Sequence, residues 1–251
     1  MPRWAERCAT LCCAALLAAT PAWARATSAA PIRIVTSDLP PLSMEHTPAA
    51  PGALYEMVEE LVRRAKVPAN IEFVPWKRAV YLSTSVQRSA IFPLTRSAER
   101  EPQYRWLAQL YHEHFLFLAL KGGNFDVAEP VRHKQRRIGI LRGSLMLAKL
   151  REAGYVNIVE ASSVDESLRF LKRGIVDAVF GDRDIYRASL AGRMEQDYVS
   201  STAMHTTTTW LAGSRDFTDA DVLRFQKAMK DMVDDGSYAA ILKRYDLAPG
   251  P

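Results

Sequence analysis

The chain has 251 residues, 33 basic and 28 acidic, a formal charge of +5, and three cysteines, Cys8, Cys12 and Cys13. With every cysteine near the start, the rest of the chain excludes a disulfide, a thiolate nucleophile and a Cys-ligated metal. The mild basicity is dispersed, with one short cluster over Arg132–Arg137 that reads as a solvated loop, so nothing calls for a nucleic-acid partner.

Residues 1–24 read as a cleavable signal peptide. Arg3 and Arg7 give a positive start, an Ala- and Leu-rich run follows, and Ala22-Trp23-Ala24 has the small-x-small form that signal peptidase cuts. The apolar run is shorter than the roughly 20 residues a spanning helix needs. Export to the periplasm is therefore expected, and the remaining chain carries a charge of +4, since Arg3, Arg7 and Glu6 leave. That remainder is long enough for one large or two small domains.

From residue 31 the chain alternates between strand and helix signals. Ile32–Thr36 predicts a strand. Leu54, Met57, Val58, Leu61 and Ala65 share one helical face. Ile71–Val74 predicts a strand, a short helix follows Pro75, and Ala90–Phe92 is strand again. The same order restarts after Gly122-Gly123. Strands are expected at Arg137–Leu141, Asn157–Glu160 and Val176–Phe180, with helices opening at Gly143-Ser144, at Ser163 with capping-box spacing, and near Asp182. His114–Ala119 leads out of the first unit and Thr208–Ala212 leads back. Two amphipathic helices after Thr218 then return to the first unit. The predicted fold class is α/β, two α/β lobes with mainly parallel sheets joined by a two-strand hinge. Lobe 1 is residues 31–119 plus 209–251, and lobe 2 is residues 120–208. Ligand sites in open α/β sheets lie beyond the carboxyl ends of the strands, and both lobes aim those ends at one cleft.

Three segments fall at such strand ends. Pro93 to Glu101 carries Thr95, a hydroxyl donor, and Arg100, whose planar fork of donors suits a carboxylate. On charge alone this stretch is an ordinary solvated loop. Gly143-Ser144 stands at a helix start, where free amides suit an anion, though it reads equally as a plain N-cap. Asp182 follows a buried strand, where its carboxylate can take an ammonium or simply cap the next helix.

Together, in this order, these segments resemble the family 3 extracellular solute-binding proteins, the periplasmic receptors of polar amino-acid ABC importers. The resemblance runs from Ile32 to Leu247 and includes Pro75-Trp76-Lys77-Arg78-Ala79. It implies that Arg100, Gly143 and Ser144 hold the ligand's α-carboxylate, and that Asp182 and Thr95 hold its ammonium. Where the family usually has Gly-x-x-Asp before the first lobe's binding strand, this chain has Gln87-Arg88-Ser89-Ala90. Trp76 is expected as an aromatic wall and Asp38, after the first strand, as a further cleft residue. His112 and His114 share one strand face, but two imidazoles make a poor zinc site.

The expected function is capture of a small polar solute without chemistry, by a monomer with no cofactor, working with an ABC permease or a sensor. An exported dehydratase-like enzyme on the same fold and a sensory binding protein are the alternatives. No nucleophile elbow, zinc signature or phosphate loop favours catalysis.

Overall fold

The computed structural model describes residues 31–190 and 192–249, so the signal segment expected over residues 1–24 lies outside the described residues. In chain order the first unit is β1 (Ile32–Thr36), α1 (Ala53–Ala65), β2 (Ala69–Phe73), α2 (Trp76–Ser85) and β3 (Ser89–Thr95). A long strand, β4 (Arg105–Leu120), leads to the second unit: β5 (Arg137–Leu141), α3 (Met146–Glu152), β6 (Asn157–Ala161), α4 (Val164–Lys172), β7 (Ala178–Asp182) and α5 (Arg183–Ser189). After α6 (Met194–Asp197) and β8 (Tyr198–Ser200), β9 (His205–Gly213) returns, followed by α7 (Asp219–Asp234) and α8 (Ser237–Arg244).

The elements form where side-chain spacing and local capping agree. In α1, Leu54, Met57, Val58 and Leu61 are fully buried at helical spacing. Each such side chain contributes about 1.5–3 kcal/mol relative to exposure. Gly52 at its N-terminus has φ 107°, and a Cβ there would meet the Leu42 carbonyl oxygen at 2.6 Å, so only glycine fits. The hydroxyl of Ser163 accepts the Glu166 amide at 3.1 Å while the Glu166 carboxylate accepts the Ser162 amide, which starts α4. Thr218 and Asp221 form a capping box on α7. Arg88 pairs with the buried Asp221 at 2.7 Å and ties that helix start to β3.

The strand order is β2-β1-β3-β9-β4-β7-β5-β6, with β8 beside β4. The expectation of mainly parallel sheets holds for the outer strands: β1 with β2 and β3, and β5 with β6 and β7. Among the described residues, the pairs that involve β4 or β9 are antiparallel. β4 pairs with β9 from Arg105 to Phe115, and with β7 from Phe115 to Leu118. The passage between the lobes therefore runs inside β4, around Phe115, with β9 beside it. Helices α7 and α8 pack on α1, covering the first lobe as their apolar spacing predicts. The second lobe has its own aromatic core, in which Phe117 stands 4.6 Å from Phe180 and 5.2 Å from Tyr155, ring centre to ring centre.

Candidate ligand-binding site

A cavity of about 70 Å³ lies between the lobes, at the carboxyl ends of β3, β5 and β7 and against the middle of β4. Its polar walls are Thr95, Arg100, Glu113, Ser144, Asp182 and Tyr186. Trp76, Pro93, Phe115 and Phe180 are among its apolar walls.

Pro93 explains how β3 delivers its end to this space. A proline cannot donate to the sheet ladder, and the register of β3 against β9 shifts between Ile91 and Leu94. Beyond the shift, Thr95 turns its hydroxyl to Glu113 Oε2 at 3.0 Å. Arg100 folds back under the same strand end and donates Nη1–H to the Thr95 carbonyl at 3.0 Å. Arg100 is only 8 % exposed, and burial lowers its pKa while Tyr104 and the Glu113 carboxyl pull it up. A guanidinium stays protonated through such shifts. Its other N–H groups have no acceptor among the described residues, so most of its donors remain for a guest.

The neighbouring Arg96 has a different fate. It lies outside the cavity, bound to Glu101 at 2.6 Å, with its guanidinium 5.1 Å from the Trp106 ring centre and 4.7 Å from that of Trp210. That stacked arrangement is a packing role.

Asp182 is in the cavity wall and 3 % exposed, but it is also the cap of α5. Oδ1 accepts the amides of Asp184 and Ile185 at 3.0 and 3.1 Å, and Oδ2 accepts the His114 amide at 2.9 Å. Burial and the nearby Asp184 charge raise its pKa, while the three backbone donors favour the ionised form and oppose that rise. The capping role that the sequence left open is thus filled, and one acceptor position on Oδ2 remains for a guest.

Ser144 lines the cavity, while Gly143 is not brought into its wall and packs instead beside Lys77 and Trp76. The helix expected to open there begins at Met146 instead, because Gly143 is in the left-handed region (φ 85°) and Ser144 still belongs to the turn. The Ser144 hydroxyl accepts the Met146 amide at 3.2 Å. A Cβ on Gly143 would lie 3.3 Å from Lys77 Cα and 3.6 Å from Trp76 Cδ1, so this turn presses on the start of α2 across the cleft. Trp76 is 6 % exposed and forms a wall. Asp38 is not brought in. It is exposed, accepts the Glu45 amide at 3.1 Å, and lines a separate crevice with Glu45 and Asp165, while its neighbour Leu39 reaches the cavity.

Sequence reasoning missed Glu113 as a wall residue. Its signal was the alternation along β4: His112 and His114 are half-buried on one face, and Glu113 is buried on the other. Burial and the Asp182 charge push its carboxyl up to about 8. His112 meets Gln109 and His114 meets Thr206, and no metal-holding group of three or more His, Cys, Asp or Glu occurs among the described residues.

No family model matches the sequence, and no curated protein matches it in sequence. Solved structures are similar in fold. A histidine kinase sensor domain with similarity to periplasmic binding proteins superposes with a TM-score of 0.79 at 16 % identity, over 88 % of this chain and 98 % of that one. The fold is that of the two-lobed periplasmic binding proteins. A mutant of ArgBP from T. maritima shares this periplasmic-binding fold at TM-score 0.75 and 18 % identity, covering 85 % of this chain and 94 % of that one. So does a periplasmic His/Glu/Gln/Arg/opine family-binding protein from Silicibacter pomeroyi in complex with lysine, at 0.72 and 18 %, covering 87 % and 100 %.

Proposed function

We propose that this chain is an exported solute-binding protein that closes two lobes over a small amino-acid-like solute and passes it unchanged to a membrane ABC permease. The observation that carries this is Arg100. A guanidinium is buried in a cavity shared by both lobes, with one hydrogen bond made and the rest of its donors unspent. Leaving charged donors unmet in an apolar enclosure is unfavourable, so a carboxylate guest is the natural complement. The moving bodies are the two lobes, with the crossing in β4 near Phe115 rather than after residue 119, because Phe117 and Ala119 pack in the second lobe's core, and β4 and β9 carry the hinge. Thr95, Ser144 and Asp182 supply further polar contacts, Trp76 a wall, and Gly143 the contact that lets the lobes meet. Asp38 has no part in the site, since it lines a separate crevice. The protein works as a monomer, in the periplasm, with no cofactor and no nucleic acid.

The test is a thermal-shift screen of amino acids and small carboxylates, followed by calorimetry on those that raise Tm. A guest at a hundred times its Kd stabilises by about 2.7 kcal/mol. Recovery of the solute unchanged after long incubation separates binding from turnover. A sensory role has one supporting observation, the sensor domain that superposes over nearly its whole length. Capture of a receptor or kinase ectodomain by the liganded protein, with no stimulation of a permease, would favour it.

A further inference from the structure

The cavity has a third ionisable group, beside Arg100 and Asp182, that the binding-protein reading leaves unused. Glu113 sits in the middle of β4, the strand both lobes share, and is 5 % exposed. Its Oε2 accepts the Thr95 hydroxyl at 3.0 Å, while Oε1 has no donor among the described residues. Arg100 binds the carbonyl of that same Thr95, and Asp182 binds the amide of the adjoining His114. Glu113 therefore stands between the guanidinium and the second lobe's carboxylate, with one oxygen open to the cavity.

Counting charge decides what such a site accepts. With Glu113 ionised, Arg100, Glu113 and Asp182 sum to one uncompensated negative charge inside walls made by Trp76, Phe115, Leu141, Leu145 and Phe180. With Glu113 neutral the sum is zero, which fits a guest that is itself a neutral zwitterion. Burial and the Asp182 charge favour that neutral form, while the Thr95 hydroxyl and Arg100 oppose it. The Tyr186 hydroxyl of α5 lines the same space, Asp184 adjoins Asp182 but is paired with Arg183, Thr207 of β9 faces Glu113 in register, and His112 and His114 lie on the far strand face. The space of about 70 Å³ has room for roughly half a dozen water-sized positions. Its apolar walls hold no counter-ion for a long cationic side chain.

We propose that Glu113 is a third ligand anchor, a neutral carboxyl whose O–H donates to the guest's carboxylate beside Arg100, and that the guest is a compact α-amino acid with a short apolar side chain. This rests on the binding-protein reading and narrows it.

Calorimetry on the mature chain, with L-alanine, L-valine, L-leucine, L-lysine, L-arginine and L-glutamate at pH 7 and pH 9, tests it. The apolar set binds more tightly than the charged set, and its affinity falls about tenfold between the two pH values as Glu113 ionises. Glu113→Ala lowers affinity at pH 7 by about 10- to 100-fold. Glu113→Gln, whose amide can still donate, loses less and shows no Glu113-linked fall. The guest's own ammonium titrates equally in both proteins. In the wild type at pH 8, comparison of two buffers of different ionisation heat reads uptake of about half a proton per guest. Tighter binding of lysine or arginine with proton release, or a pH fall that survives in Glu113→Gln, overturns the proposal. Tight, Arg100-dependent binding of L-glutamate would overturn the guest class while leaving the binding-protein reading intact. No binding of any of the six from pH 5 to 9 overturns both.

Discussion

Arg96 and Arg100 stand four positions apart on one loop and do different work. Arg96 is held between two indoles at the surface, and Arg100 is folded under β3 into the cleft. Replacing Arg100 by Ala should weaken binding of an amino-acid guest by at least about a hundredfold, since hydrogen bonds to charged groups contribute about 1.5–3 kcal/mol each and at least two are lost. Calorimetry on protein of unchanged circular dichroism checks this, and an affinity within threefold of wild type would remove Arg100 from the site. Glu113 makes a separate prediction for the empty protein. Its carboxyl is raised from an ordinary value near 4.5 to about 8, so the folded chain holds a proton the unfolded chain has released. That contribution is complete below pH 4.5 and is lost as pH rises through 8. Glu113→Gln should therefore raise Tm more at pH 8 than at pH 5, by about 2–4 °C for each kcal/mol recovered. Equal shifts at both pH values would show that Glu113 does not titrate in this range. That Arg100, Thr95, Ser144 and Asp182 line one cavity was legible because strand ends in an α/β chain point at the cleft. Glu113 was not, since a lone acid between two histidines reads as surface until the strand's neighbours on both sides are known. Asp38 failed for a similar reason: it follows a strand end, but the chain turns there and sends Leu39 inward instead.

At the scale of elements, α1, β3, α4 and α7 fall where period and caps place them. The start of α3 does not, because Gly143 takes a left-handed conformation and delays the helix to Met146. The delay has a use: a turn without a side chain lies against Lys77 and Trp76 of the opposite lobe. Gly143→Val should hold the lobes apart, through the added atoms and through the strain of a β-branched residue at φ 85°. Binding is expected to fall by about tenfold or more while the far-ultraviolet spectrum is kept. If the Gly143→Val variant bound as tightly as wild type, this contact would have no part in closure. The capping box of α7 offers a stability control away from the cleft. Thr218→Ala should cost about 1 kcal/mol and leave affinity alone, which chemical denaturation and calorimetry can read together.

On the scale of the whole molecule, the order of strands could be read only in part. Parallel pairing within each βαβ unit follows from the alternation of strands and helices. The antiparallel centre depends on β9 coming back beside β4, a long-range pairing that periodicity does not encode. With the cavity wall on β4 itself, a guest that touches Glu113 and Phe115 touches the hinge. Small-angle scattering should show a smaller radius of gyration with saturating ligand than without, and identical curves would count against hinge closure.

The return of β9 also shapes how this chain is made. Leu94 of β3 waits for Trp210, and α1 waits for α7 and α8, so the earlier half of the polypeptide emerges with an open sheet edge and an uncovered apolar face. Closing such distant pairings is slow compared with local helix formation. A fragment stopped before residue 205 would present an unpaired β3 to any similar strand nearby, and truncated synthesis products of this protein are therefore expected to aggregate rather than persist as half-molecules.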